Sequence, residues 1–298
     1  MSEYISAGLA DDSPVFKKHS QVREVWRRLK KDRVAVFGLS VIVTLIVLAI
    51  SADLIIPYQA AVKMDVRNRL SPPSAEHWFG CDAFGRDMFA RCLHGSRVSL
   101  LIGFSTSFIS LVLGGAIGST VGYLGGKIDN AVMRILDLFS SIPTILFALT
   151  IVAALGSGIL NICIAITVTR IPGFVRIVRS SVLGIADMEY IEAARAGGTS
   201  TPRIIFRHVL PNAVGPLIVQ TTMNVATIII LAASLSFLGL GINPPQPEWG
   251  ALISEAKEFL RTAPFLIAFP GIMICLASFS ISVLGDGLRD ALDPRLKS

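Results

Sequence analysis

Six apolar stretches recur along the chain, at residues 34–56, 98–122, 131–155, 159–181, 213–240 and 264–284. Each holds the roughly 20 residues that an α-helix needs to cross a hydrocarbon core of about 30 Å. Backbone in lipid must satisfy its own hydrogen bonds, so these runs read as six transmembrane helices and the chain as an all-α polytopic membrane protein. Composition agrees: of 298 residues, 52% are hydrophobic and 16% charged, against about a quarter charged in soluble domains. The formal charge of +6 does not point to nucleic acid, because the basic residues lie between apolar runs and not on a soluble module.

Those basic residues orient the helices instead. With both termini cytoplasmic, nineteen of the 27 Lys and Arg fall in cytoplasmic segments and eight in outer ones, the asymmetry of the positive-inside rule. Residues 1–33 form the N-terminal tail, where Val22, Val25, Trp26 and Leu29 recur at helical spacing under a cationic face. A helix lying on the membrane surface is expected there. Residues 57–97 form an extracytoplasmic loop too long for a tight turn. Residues 98–284 form a five-helix core with a cytoplasmic loop at 182–212, and 285–298 a cytoplasmic tail. Trp26, Trp78 and Trp249 fall at or beyond the expected membrane surfaces. No short apolar segment with a small-residue cleavage site opens the chain, so a cleaved signal peptide is not expected. Four scattered histidines and four cysteines without paired spacing give no expectation of a metal site. Cys81 and Cys92 read as two thiols in a segment where a disulfide is chemically possible.

Within the spans the residues suggest packing and mild polarity. Gly114, Gly118, Gly122 and Gly126 repeat every four residues and would share a face on which helices approach closely. Pro143 and Pro172-Gly173 mark bends in the third and fourth spans. No ionisable residue is read near a span centre: Asp53, Arg134, Asp137, Arg176 and Arg179 lie toward span ends, and Arg134 is spaced to pair with Asp137 on one helix. A proton- or ion-driven carrier would hold such a group at the midplane. Gly122-Tyr-Leu-Gly-Gly-Lys-Ile128 lacks the spacing and the Ser or Thr of a phosphate loop. On the fifth span Gln220, Asn224, Thr227 and Ser234 share a face, which suits a water- or substrate-filled path and equally suits interhelical hydrogen bonding.

The segment from Glu189 to Asn212 is the long stretch in the second half that cannot sit in lipid. Residues 188–196 favour a helix, and Gly197-Gly198 supply its stop. Ser200 can cap a second short helix, with Pro202 in its first turn and Pro211 at its end. Small Ala193 and Ala194 would let a partner approach, while Glu192, Arg195, Arg203 and Arg207 offer it ion pairs. The plain structural reading is an interfacial helical hairpin without a partner.

Glu192-Ala-Ala, Gly198 six residues later and His208-Val-Leu-Pro211 resemble the "EAA" loop of permease subunits in binding-protein-dependent ATP-binding cassette importers. The similarity extends from Val34 to the C-terminus. Phe79-Gly-Cys-Asp-Ala-Phe-Gly-Arg-Asp-Met88, Gly95-Ser-Arg-Val-Ser-Leu100, Gly122-Tyr-Leu-Gly-Gly-Lys-Ile-Asp129, Pro247-Glu-Trp-Gly250 and Gly285-Asp-Gly-Leu-Arg-Asp-Ala-Leu-Asp-Pro-Arg295 resemble the C-type subunit of dipeptide/oligopeptide permeases. Cys81 departs from the Thr often found there, and Gly197 from a larger apolar residue.

The resemblance implies the type I ABC importer permease fold in a bacterial or archaeal inner (plasma) membrane. It makes Glu192, Ala193, Ala194 and Gly198 coupling residues, with Arg203, Arg207 and His208 flanking them. It implies a sibling permease subunit, an extracytoplasmic substrate-binding protein and two cytoplasmic ATPase subunits that bind ATP and Mg; this chain would bind no cofactor and catalyse nothing. Without an internal repeat, six spans supply half a pathway for di- or oligopeptides. Similar subunits import nickel, haem or other small solutes. A different class, an intramembrane enzyme, would draw on Cys92, His94 and Ser96, a cluster with no orienting carboxylate or oxyanion hole assigned.

Overall fold

Residues 21–292 are described by a computed structural model, and among them every regular element is helical, with one isolated bridge between Cys81 and Asp87. Helix α1 (Gln21–Leu29) carries the amphipathic face expected of the N-terminal tail. Residues 1–20 and 293–298 lie outside the described residues, as does the Val22 side chain. Val25 and Leu29 pack against the C-terminal helix instead of being left for lipid, and Trp26 stays half exposed with Lys30 Nζ 5.0 Å over its ring.

Helix α2 (Arg33–Ile50) begins at Asp32, whose carboxylate accepts the N–H groups of Val34 at 2.9 Å and Ala35 at 3.2 Å. That cap satisfies donors the helix cannot pair internally. Helix α3 (Met88–Leu124) starts at Asp87, which caps Ala90 N at 2.8 Å, and stops at Gly125 with φ 62°. It begins ten residues before the apolar run at 98, because Arg91 is paired with Asp82 and Glu255 and so enters a buried helix without an unmatched charge. Gly126 lies beyond the helix end and does not continue its glycine face.

The third expected span is two helices, α4 (Gly126–Ser140) and α5 (Thr144–Leu155), meeting at 85°. Pro143 lacks an N–H and its ring excludes the preceding helical turn, so the chain breaks there more sharply than a kink. Helix α6 (Ile159–Ala186) absorbs Pro172. Then come α7 (Glu189–Ala196), α8 (Thr201–Ile204), a π-helical turn at Ile205–Val209 and α9 (Leu210–Leu235). The last helices are α10 (Trp249–Ala256) and α11 (Phe265–Leu292). Five helices are long and apolar enough to span a membrane, and α4 with α5 makes a sixth crossing if counted as one span.

Gly114, Gly118 and Gly122 lie against α6. A Cβ on Gly114 would come 2.5 Å from Phe174 Cβ, and one on Gly118 2.7 Å from the Val175 carbonyl. Helix α9 closes on this pair through Ile228, Leu231 and Ala232, packed with Ile102 of α3 and Ile166 of α6. On its other side Ile229 joins Ile42 of α2 and Ile281 of α11. Outward-facing Ile50, Leu160 and Phe279 supply the apolar rim that lipid requires.

At the end of the bundle away from α7, Trp249 is 0% exposed, its indole N–H donating to the Cys92 carbonyl at 3.0 Å. It is a core residue of that end of the bundle. Glu248 fixes it there by capping α10 through Gly250 and Ala251, while Ser99 donates to the same carboxylate at 2.9 Å.

Candidate functional site

The segment between α6 and α9 is anchored on one side and open on the other. Ile191, Ile204 and Val209 are buried against Val178 and Val182 of α6 and Leu217 of α9. Helix α7 ends in a Schellman turn: Gly198 N–H donates to the Arg195 carbonyl at 3.0 Å and Thr199 N–H to the Ala194 carbonyl at 3.1 Å. Gly198 has φ 76°, a left-handed conformation in which a Cβ is strained even though open space surrounds it. Ser200 stands at the start of α8, but its side chain makes no cap bond.

Pro211 does not end the second helix. The wider π-helical turn just before it takes up the chain where Pro211 has no N–H to give, so α8 runs on into α9 as one continuous element from Thr201 to Leu235.

On the open side Glu192, Ala193, Gly198, Arg203 and Arg207 are exposed, and Ala194 and His208 are half-buried. Arg195 stacks 5.3 Å over Tyr123 at the end of α3, and Asn212 Nδ2 donates to Tyr190 Oη at 3.2 Å. Glu189, Glu192, Arg203 and Arg207 form no ion pair among the described residues. Three apolar groups share this surface and were missed in the sequence: Met188, Tyr190 and Phe206, the last 69% exposed. A large apolar side chain set between Arg203 and Arg207 was the signal available for Phe206.

Both flanking helices lead from this surface to a cavity of about 310 Å³ at the break between α4 and α5. Gln220 and Asn224 of α9 line it, with Ser140, Thr144, Thr169, Arg170 and Arg176. Thr227 and Ser234 do not; their hydroxyls donate to the Asn224 and Ile230 carbonyls of their own helix. Gln220 lies nineteen residues from Thr201, and Arg170 sixteen from Ala186, about 28 and 24 Å along a helix. Arg170 corrects the expectation of spans without a central charge. It is the twelfth of the 28 residues of α6, and a hydropathy boundary that grouped it with the basic end of the span concealed it.

Asp137 pairs with Arg176 of α6 at 2.9 Å, not with Arg134, which is exposed. The sharp α4–α5 break turns that face of α4 toward α6, so a partner from the neighbouring helix displaces the local one. Ser140 Oγ accepts a second bond from the same Arg176 nitrogen at 2.9 Å.

Residues 114–298 match the family described as the inner membrane component of binding-protein-dependent transport systems, and residues 20–73 match the N-terminal transmembrane domain of oligopeptide transport permease C. The chain belongs to the binding-protein-dependent transport permeases. This permease is 45% identical to the dipeptide transport system permease protein DppC of Alkalihalophilus pseudofirmus over 93% of its own length and 90% of that protein's. It is 42% identical to the glutathione transport system permease protein GsiD of Pectobacterium atrosepticum, covering 93% and 92%, and 44% identical to the GsiD of Escherichia coli O157:H7, covering 94% of each. The fold resembles a chain of the MetNI methionine ABC transporter with a TM-score of 0.58 at 21% identity, over 69% of this chain and 98% of that one. Family membership implies an ATPase and a substrate-binding protein as partners in general terms.

The cluster of Cys92, His94 and Ser96 is not assembled as a site in this permease. On α3 His94 lies on the opposite side of the helix from Cys92 and Ser96, which are one turn apart, and each side chain is engaged elsewhere. Cys92 packs among Met88, Leu252 and Leu266; His94 Nε2 meets the Ile56 carbonyl at 2.9 Å; Ser96 donates to the Leu93 carbonyl. Cys81 and Cys92 are free thiols. Burial, with Asp87, Asp82 and Asp65 nearby, pushes the Cys81 thiol up to about 11.

Proposed function

We propose that this permease forms one half of the membrane pathway of an ATP-driven importer of di- and oligopeptides. It sits in a bacterial or archaeal inner membrane beside a sibling permease subunit. Two cytoplasmic ATPase subunits bind ATP and Mg beneath it, and an extracytoplasmic protein delivers the substrate. Moving Arg170 from the loop to a span leaves eighteen basic residues inside and eight outside, a bias that favours cytoplasmic termini and a cytoplasmic α7.

One observation carries the reading: α7 is locked to the bundle by Ile191 while Glu192 and Ala193 are exposed and Glu192 forms no ion pair among the described residues. Glu192, Ala193, Ala194 and Gly198 present that face to an ATPase groove, with Arg203, Arg207 and His208 beside it. When the two ATPases close on ATP, α7 is displaced with them. Its apolar anchor passes the displacement to α6 and to the continuous α8–α9 element, and both helices line the cavity. The cavity walls then move as α7 moves, which links nucleotide state to access by a rigid-element shift.

The relatives named for dipeptide and glutathione transport support peptides over nickel or haem as cargo. The test is co-purification from native membrane followed by reconstitution. Peptide uptake that requires ATP, the binding protein and both ATPases is expected, and this chain alone should hydrolyse no ATP. ATP turnover by the isolated chain, or uptake of a metal complex but no peptide, would overturn the proposal.

A further inference from the structure

Arg170 has no counter-charge among the described residues. Its Nε is buried without a hydrogen-bond partner, and no ion pair or hydrogen bond reaches its guanidinium among the described residues. Elsewhere in the bundle Arg97 pairs with Asp53, Arg176 with Asp137 and Arg179 with Asp129, while Arg134 is exposed. Arg170 lies about 16 Å from the start of α6, near the middle of a core of about 30 Å, too deep to reach either headgroup layer. A lone cation at that depth is costly, and arginines found there face a water-filled path or an anionic partner.

Arg170 meets the first condition. It opens into the 310 Å³ cavity beside Thr169, Gln220 and Asn224, and the cavity wall holds two arginines and no carboxylate. Arg176 is already engaged by Asp137 and Ser140. The vacant guanidinium presents a planar fork of N–H donors suited to a carboxylate, while the amide groups of Gln220 and Asn224 offer neutral hydrogen bonds of the kind a peptide backbone makes.

We infer that Arg170 is a substrate-binding residue that receives the terminal carboxylate of a peptide in transit, with Gln220 and Asn224 beside the adjoining amide. The inference rests on the peptide-importer reading. It places selection for a free carboxylate inside the membrane as well as in the binding protein.

The experiment uses the complete transporter in detergent without its binding protein, with dialanine and dialanine amide as probes. The unsubstituted transporter should bind the free acid better than the amide. Arg170→Gln should weaken free-acid binding about tenfold or more, the scale of a charge-assisted bond, and leave amide binding unchanged. Arg170→Lys should retain most of the preference. An unchanged preference in Arg170→Gln would overturn the inference, as would loss of the sibling subunit from that variant, which would assign the missing carboxylate to the partner. If the unsubstituted transporter bound neither probe, the peptide reading itself would fall, an outcome distinct from failure at Arg170 alone.

Discussion

Arg179 of α6 holds Asp129 of α4 through two parallel hydrogen bonds, Nε to Oδ1 and Nη2 to Oδ2, each 2.5 Å. The pair closes the end of the bundle where α3 turns into α4, on the same side as α7. It is partly exposed, so its coupling energy should be about 1 kcal/mol. Thermal unfolding of Asp129→Ala, Arg179→Ala and the double variant in detergent measures it. Single variants whose losses simply add would show that the pair is ornamental.

The approach of α3 to α6 makes a sharper demand. A Cβ on Gly118 would meet the Val175 carbonyl at 2.7 Å, whereas one on Gly115, three residues earlier in the α3 interior, meets open space. Gly118→Leu should destabilise by about 1–3 kcal/mol through overpacking. Gly115→Ala should be neutral or stabilising, since alanine favours a helix over glycine. Melting temperatures of the two variants should separate in that order.

At the α7 turn the cost is conformational and not steric. Gly198→Ala forces a Cβ into a left-handed backbone, a strain of about 1–2 kcal/mol, and should lower uptake while membrane insertion persists. Gly198→Asn should fall between alanine and glycine, because asparagine tolerates that conformation. Equal uptake by all three would remove the Schellman turn from the account.

Cys81 gives a pH signature. Its thiol is raised from an ordinary value of 9.0 to about 11 by burial and neighbouring carboxylates, so the folded protein binds this proton more tightly than the unfolded chain. Stability from this group is present below pH 9 and is lost as pH rises through 11. Cys81→Ser should flatten the alkaline fall in melting temperature between pH 9 and about 11. An equally steep fall in that variant would contradict the assignment.

The apolar runs made the helices legible, because length and hydrophobicity alone force backbone in lipid into helices. The Gly197-Gly198 stop was legible too, since a Schellman turn is a local matter. Pro211 was misread as a terminus because the π-helical turn that carries the chain past it depends on packing of Ile204 and Val209 against α6. The burial of Trp249 was not legible for a related reason: it is set by Ser99 and Cys92, some 150 residues earlier. Arg170 was hidden by a span boundary drawn through a basic region, and the Asp137 partner by an 85° break that only three dimensions reveal.

The central claim is that α7 transmits force from the ATPases to the cavity, and uptake per ATP hydrolysed in Ala193→Trp tests it most directly. Ala193 is exposed, so the indole should leave the fold intact and obstruct only the partner surface. Assembled proteoliposomes should hydrolyse ATP with peptide import reduced at least about tenfold, equivalent to about 1.4 kcal/mol of lost coupling. Import per ATP equal to that of the unsubstituted transporter would contradict the account.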